Sequence, residues 1–205
     1  MAQYHHGDLR NALVAAALQR VEAQGGDGFS LREAARDVGV SANAAYRHFE
    51  DKGTLLAAVA TVGFEALSAE MQRAVAAPPH ERSAGESQLK AVGRAYVAFA
   101  VARPHLFQLM FTDRGASCLD VEAAMQGPTP GVLLSQALDV LAAAGGVAAQ
   151  RRAGAAMSAW VVAHGVATLA LNGPPSMRDV TTRGQVLEGA LDVLLTGLRA
   201  PTSKG

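Results

Sequence analysis

Two helix-start signals with a glycine stop between them constrain this chain more than any other feature. Ser30 is followed by Glu33 at the capping-box spacing, where the serine hydroxyl and the glutamate carboxylate each satisfy a backbone N–H that the first helical turn leaves free. A second start stands at Ser41, which can cap the next helix. Gly39 lies between them, in a turn where a positive φ is inexpensive only for glycine. Two short helices are predicted, Leu31–Val38 and Ala42–Phe49, joined as a helix-turn-helix. Ala35 stands where the two would cross and must be small, and Val40 can plug the core at the turn.

Around this pair the chain is helical throughout. Leu9, Leu13, Ala16, Ala17 and Val21 recur at helical spacing from Asp8 to Gln24, and the run Gly25, Gly26, Asp27, Gly28 ends that helix. Asp51 caps a long helix predicted over Lys52–Ala77, stopped by Pro78 and Pro79. Further helices are predicted at Ser83–Ala102, Pro104–Phe111, Gly131–Ala144, Ala149–Leu171 and Thr181–Leu198, with Thr112–Pro130 mainly loop. Alanine and leucine dominate, aromatics make up 5%, and no strand-like alternation or internal repeat interrupts the pattern. The fold class is all-α. Three short helices end near Phe49, and a connecting helix leads into a larger, more apolar helical domain.

Composition excludes some functions and leaves others to local placement. The 18 basic and 18 acidic residues cancel, so global charge favours neither nucleic acid nor membrane. The single cysteine, Cys118, cannot form a disulfide within the chain; it reads as a small buried hydrophobe and fits a reducing, cytoplasmic setting. Tyr4, His5, His6, Gly7 and Asp8 interrupt any signal-peptide core. No apolar stretch runs about 18 residues without a charge or a Gly/Pro break, so no transmembrane helix is expected. Paired carboxylates, a metal-ligand cluster and a nucleophile motif are all missing from the sequence, so neither an enzyme nor a cofactor is expected.

The chemistry concentrates in "GVSANAAYRHFEDKGTLL", Gly39–Leu56. The second helix of a helix-turn-helix lies in the DNA major groove, with its N-terminal residues nearest the base edges. Asn43 can pair with adenine, while Ala42 and Ala44 can touch thymine methyls or permit close approach. Arg32 is a candidate reader of a guanine edge. Tyr46 offers a hydroxyl and His48 an imidazole N–H, both suited to phosphate oxygens. Lys52 sits in the first turn of the next helix, where the helix end also favours phosphate. Arg47 could read a base or clamp a phosphate. Outside this setting Tyr46 and His48 would pass for ordinary surface residues.

Residues 4–56, above all "YHHGDLR" and "FSLREAARDVGVSANAAYRHFEDKGTLL", resemble the DNA-binding domain of the TetR family of bacterial transcriptional regulators. The family couples a helix-turn-helix to a Tyr-x-His-Phe-x-x-Lys run and a long helix, here Tyr46, His48, Phe49 and Lys52. The resemblance assigns Tyr46, His48 and Lys52 to backbone contacts and makes Phe49 the core plug. It places His5 and His6 in the segment entering the first helix, which argues against a metal role. It implies a DNA-binding domain over 1–52, a connecting helix over about 52–77, and a helical ligand-binding and dimerisation domain over 78–205. The expected protein is a ligand-responsive repressor that binds a palindromic operator as a homodimer. One feature weighs the other way. Across residues 1–54 the cations Arg10, Arg20, Arg32, Arg36, Arg47 and Lys52 face one more anion: Asp8, Glu22, Asp27, Glu33, Asp37, Glu50 and Asp51. The competing expectation is a dimeric protein-interaction module of the same fold with weak DNA binding.

In the second domain "AWVVAHGVATLALNG" looks like a subgroup marked by a Trp-x-x-x-His-Gly pattern, here Trp160, His164 and Gly165. Trp160 and His164 share one helix face, so they either line a cavity or pack in the core. Phe99, Phe107 and Met110 add apolar wall; at helical spacing such residues are usually core, although methionine also makes an adaptable pocket wall. Arg103 could hold an anionic ligand or make a surface salt bridge. The last helix carries Leu187, Leu191, Leu194, Leu195 and Leu198, too apolar for an exposed helix, which suggests a four-helix dimer interface with the helix before it.

Overall fold

A computed structural model of the chain describes residues 6–76, 84–112, 125 and 127–199. His5, Pro78, Pro79, Cys118 and most of the Thr112–Pro130 segment lie outside the described residues. The helices, in chain order, are α1 (His6–Gln24), α2 (Leu31–Asp37), α3 (Ala42–Tyr46), α4 (Lys52–Ala76), α5 (Ala84–Ala102), α6 (Pro104–Met110), α7 (Pro130–Ala143), α8 (Arg152–Asn172) and α9 (Val180–Arg199). Short 3-10 turns precede α8 at Ala149–Arg151 and α9 at Pro175–Arg178. No strand occurs among the described residues.

The chain forms two compact units. The first takes Met1–Glu65 and Arg103–Gln126, the second Ala66–Ala102 and Gly127–Gly205, so α4 contributes to both.

In the first unit α1 buries Leu13, Ala17 and Val21, one turn apart on one face. Gly25, at φ +79°, closes that helix. The capping box forms as the sequence requires: Glu33 N–H donates to Ser30 Oγ, and Ser30 N–H donates to Glu33 Oε2 at 2.8 Å. Gly39 takes φ +74° in the turn. Ala35 and Phe49 are buried, while Val40 is only half-buried. Asp51 caps α4 by accepting from Thr54 N–H at 2.8 Å. α6 starts at Pro104 and packs against α1, with Leu106, Phe107, Leu109 and Met110 buried. Met110 seats on α4 where Gly63 leaves room; a Cβ there would lie 2.8 Å from the sulfur.

In the second unit α5 packs against α7, α8 and α9. Close approach is built in. A Cβ on Gly85 would fall 2.5 Å from the Leu141 backbone. α8 turns Ala155, Ala159, Ala163, Ala167 and Ala170 inward, small residues that let helices pack tightly. Asp179 caps α9, accepting from Thr182 N–H at 2.8 Å. Lys90 on α5 bridges Asp192 at 2.6 Å and Glu188 at 3.3 Å on α9.

One expectation needs correction. The recognition helix ends at Tyr46 rather than Phe49, because the N–H groups of both His48 and Phe49 donate to the Ala45 carbonyl and tighten the last turn. By length and hydropathy alone, two helical stretches, Lys52–Ala76 and Ala149–Asn172, are apolar enough to cross a membrane. Half of the first stretch's apolar window and a third of the second's are buried in the chain itself.

Candidate nucleic-acid interface

α3 is anchored by Ala45, which is fully buried, and by Phe49 just beyond its end. Ser41 Oγ accepts from Ala44 N–H at 3.3 Å and sets the start of the helix. With Ala45 inward, Ser41, Asn43, Tyr46 and Arg47 are exposed, and Ala42, Ala44 and His48 are half-buried. Tyr46 is a large aromatic left 46% exposed, which burial alone does not explain. Arg32, in the first turn of α2, is exposed as well. Tyr46, Arg47 and His48 share the tightened turn that closes α3.

Lys52 is placed differently from a free surface cation. Its ammonium donates to the Asp27 carbonyl at 3.2 Å and stands 5.1 Å from the centre of the Phe29 ring. It ties the start of α4 to the α1–α2 loop, and an ammonium has further N–H donors to offer a phosphate.

The near-neutral charge of the region resolves into two populations. Glu33 and Asp37 on α2 are consumed internally. Arg20 is hydrogen-bonded to both Asp37 carboxylate oxygens, one at 2.8 Å, and Glu33 lies within ion-pair range of Arg20 and Arg36. The Ser30 hydrogen bonds hold the Glu33 carboxyl below its ordinary range, and the Arg20 guanidinium does the same for Asp37. Asp51 is occupied as a cap, and Glu22 lies 3.6 Å from Arg103. Arg10, Arg32 and Arg47 make no ion pair with another described residue. Glu22, Glu33, Asp37 and Asp51 are engaged within the chain and those cations are not, while Glu50 stays exposed beside Phe49, a sorting that counting charges along the sequence could not reveal.

The six residues proposed from sequence for a small-molecule site fall into different units. Phe107 and Met110 are core residues of the first unit, Phe107 with its ring 4.9 Å from that of Phe111. Arg103, in the same unit, faces Glu22, and His105 Nδ1 donates to the Glu22 carbonyl at 3.0 Å. A cleft of about 520 Å³ opens there between the α1–α2 loop and α6, lined by Gln24, Asp27, Leu56, His105 and Gln108 and by none of the six. In the second unit the Trp160 and His164 rings stack at 4.9 Å. Tyr96, a buried residue that sequence reasoning missed, brings its hydroxyl to 2.9 Å from His164 Nδ1. Its helical spacing to Phe99, also buried, was the available signal. Burial lowers the His164 pKa. Ser68, on the part of α4 in this unit, is buried with no hydrogen-bond partner for its hydroxyl among the described residues.

Of the leucines assigned to a dimer interface, Leu187, Leu191, Leu195 and Leu198 are buried within this chain and Leu194 is half-buried. Leu191 and Leu187 lie against Gly93 of α5. The exposed apolar residues of these helices are others: Met157, Val161 and Leu169 on α8, Val186 and Val193 on α9.

Comparison with known proteins agrees with this geometry. Residues 13–59 match the family described as bacterial regulatory proteins, tetR family, and residues 89–194 match the tetracyclin repressor-like C-terminal domain. A protein of unknown function from a Rhodococcus species is 34% identical, with TM-score 0.77 over 98% of this chain and 100% of that one. Two structures at lower identity share the fold. A TetR variant from Acinetobacter baumannii, in complex with minocycline, is 20% identical, with TM-score 0.60 over 93% of this chain and 98% of that one. BioQ of Mycobacterium smegmatis is 21% identical, with TM-score 0.58 over 96% and 98%. No curated protein matches.

Proposed function

The chain belongs to the TetR family of transcriptional regulators, with a helix-turn-helix DNA-binding domain, and from that premise we propose that it is a cytoplasmic, ligand-responsive repressor, not an enzyme, that binds a palindromic operator as a homodimer. The observation that carries the DNA half is the sorting of charge around the helix-turn-helix. Arg32 and Arg47 are exposed and free of acids beside Asn43 and Tyr46, while the acids of α2 are neutralised within the chain. Arg32 and Asn43 read base edges, and Tyr46, His48 and Lys52 hold phosphates, with Arg47 at the same edge.

The dimer half rests on α8 and α9. Gly154, Met157, Val161, Gly165 and Leu169 form a charge-free stripe on α8, and Val186, Gly189, Val193 and Gly197 form one on α9. A Cβ added at Gly154, Gly165, Gly189 or Gly197 would meet nothing within 4 Å, so the chain's own packing does not require glycine at these helical positions. Glycine there costs about 0.5–1 kcal/mol relative to alanine, and close approach of a second copy supplies the reason to keep it. A dimer also sets two recognition helices for successive major grooves.

The ligand half rests on Ser68, a buried hydroxyl with no partner among the described residues, and on the Tyr96–His164–Trp160 cluster. The Trp160–His164–Gly165 pattern supports membership of the corresponding C-terminal subgroup. The minocycline in the Acinetobacter relative is that protein's ligand; here the effector is an unidentified small molecule. It biases an equilibrium between DNA-competent and incompetent states, with α4 as the lever.

The test is selection of duplexes from a randomised pool by the full chain, followed by fluorescence anisotropy with wild type and Tyr46→Ala. Selective binding to a palindrome, lost in the variant, supports the repressor. Equal, weak, salt-sensitive binding to every duplex sinks it in favour of a dimeric protein-interaction module.

A further inference from the structure

We infer that Arg10 on α1 is a further phosphate-binding residue, positioned on the ring of Phe49; this rests on the DNA-binding reading above. Leu13 and Val14, one turn further along α1, are buried on the face that Arg10 shares, which sets Arg10 at the end of that face, beside buried Phe49, while the residue itself stays exposed. Its guanidinium carbon stands 5.1 Å from the centre of the Phe49 ring, within the range of a cation–π contact. Phe49 is itself immobilised, buried and with its N–H bonded to the Ala45 carbonyl at 3.0 Å. The ring contact involves no carboxylate, and Arg10 makes no ion pair with another described residue.

The ring belongs to the residue directly after His48. Arg10 is therefore held beside the turn that carries Tyr46, Arg47 and His48, although it lies far from them in sequence. A guanidinium is a planar fork of N–H donors matched to phosphate geometry. Seating it on a fixed ring removes side-chain freedom before DNA arrives, so less is lost on binding. Counting cations along the chain gives Arg10 no special status; its ring contact does.

The test uses the duplex that the wild-type chain recovers from a randomised pool, titrated at 50 and 200 mM salt against wild type, Arg10→Met and Arg10→Lys. Methionine keeps apolar cover over Phe49 and removes the charge. Each lost phosphate contact lowers the salt slope by about 0.9, hence about 1.8 for a dimer, and narrows the affinity difference between the two salt concentrations roughly tenfold. Arg10→Lys retains the charge and keeps a slope near wild type. Arg73→Met, with the same change in net charge, keeps the wild-type slope. Melting curves run alongside, and Arg10→Gln replaces Arg10→Met should that variant fail to fold. A lowered melting temperature with wild-type affinity and slope overturns the inference and leaves Arg10 a cover for Phe49. A wild-type chain that recovers no duplex overturns the DNA-binding reading, and this inference with it.

Discussion

The helix-turn-helix presents Arg32, Asn43, Tyr46 and Arg47 to solvent, whereas α8 and α9 present Met157, Val161, Val186 and Val193. The first region is built of short helices, α2 and α3, each started by a serine cap; the second is built of long ones, 21 residues in α8 and 20 in α9, of which α9 starts at the Asp179 cap. They differ in what the chain leaves unsatisfied. In the first unit the α2 acids are paired off and cations are left over. In the second, the one charged residue of α8, Arg152, is paired with Asp139 and bonded to the Ser135 carbonyl, and the exposed stripe carries no charge. Packing within one chain decides what is buried for stability. The remainder, polar and cationic in one place and apolar in the other, describes what a second molecule must bring: an anion to the first, and another uncharged surface to the second.

The largest expected effects come from the core of each unit, and they break the assignment of the α9 leucines to an interface. Phe49→Ala should cost about 3–4 kcal/mol and abolish DNA binding. Leu191→Ala should cost a similar amount, about 2–4 kcal/mol, measured by chemical denaturation at several protein concentrations. Because Leu191 packs on Gly93 within the chain, its loss should persist at every concentration. A loss that vanished at high concentration would return Leu191 to the interface.

Next in size is the exposed stripe. Val161→Glu combined with Val193→Glu should leave far-UV helicity intact and yield a monomer by sedimentation equilibrium. Operator affinity should fall about a hundredfold, the usual gain from joining two binding events. A variant that stays dimeric would remove α8 and α9 as the contact.

Glycines sharpen the same contrast at about 1 kcal/mol. Gly39→Ala must force a side chain to φ +74° and should destabilise the chain by about 1 kcal/mol. Gly189→Ala adds a Cβ into open space within a helix. It should stabilise the isolated helix by about 0.5–1 kcal/mol while weakening dimerisation. Thermal melts at low concentration and sedimentation separate the two terms.

The helix-turn-helix was legible because its determinants are local. Ser30 with Glu33, Gly39, Ser41 and Asp51 each act within a few residues, so spacing alone locates them. The exposure of Arg32, Asn43, Tyr46 and Arg47 followed from the same periodicity. The ion pairs from Arg20 to Asp37 and the seat of Arg10 on Phe49 join distant residues, and no local pattern encodes them. In the second unit, leucines and valines look alike on a helix that is apolar nearly all round. Only α5, arriving with Gly93, shows that Leu187 and Leu191 face inward and Val186 and Val193 do not. Tyr96 was missed for the same reason: its partner, His164, is on another helix.

The smallest expected effect concerns that pair and tests how dry the second unit is around it. Burial lowers the His164 pKa, and the imidazole nitrogen nearest Tyr96 is hydrogen-bonded to its hydroxyl. The unfolded chain, with an ordinary histidine value of 6.5, takes up the proton more readily than the folded one. The stability that neutral His164 contributes is therefore complete above that value. It is lost as pH falls from there through the lowered folded value. Melting temperatures of wild type and His164→Gln, compared from neutral pH down to about 5, should converge as pH falls, because glutamine can accept from Tyr96 without titrating. A constant difference would mean that His164 titrates as it does in water. The Tyr96–His164–Trp160 cluster would then be a solvated surface patch rather than part of a dry wall, which would set α8 closer to the helix-turn-helix than to the apolar stripe beside it.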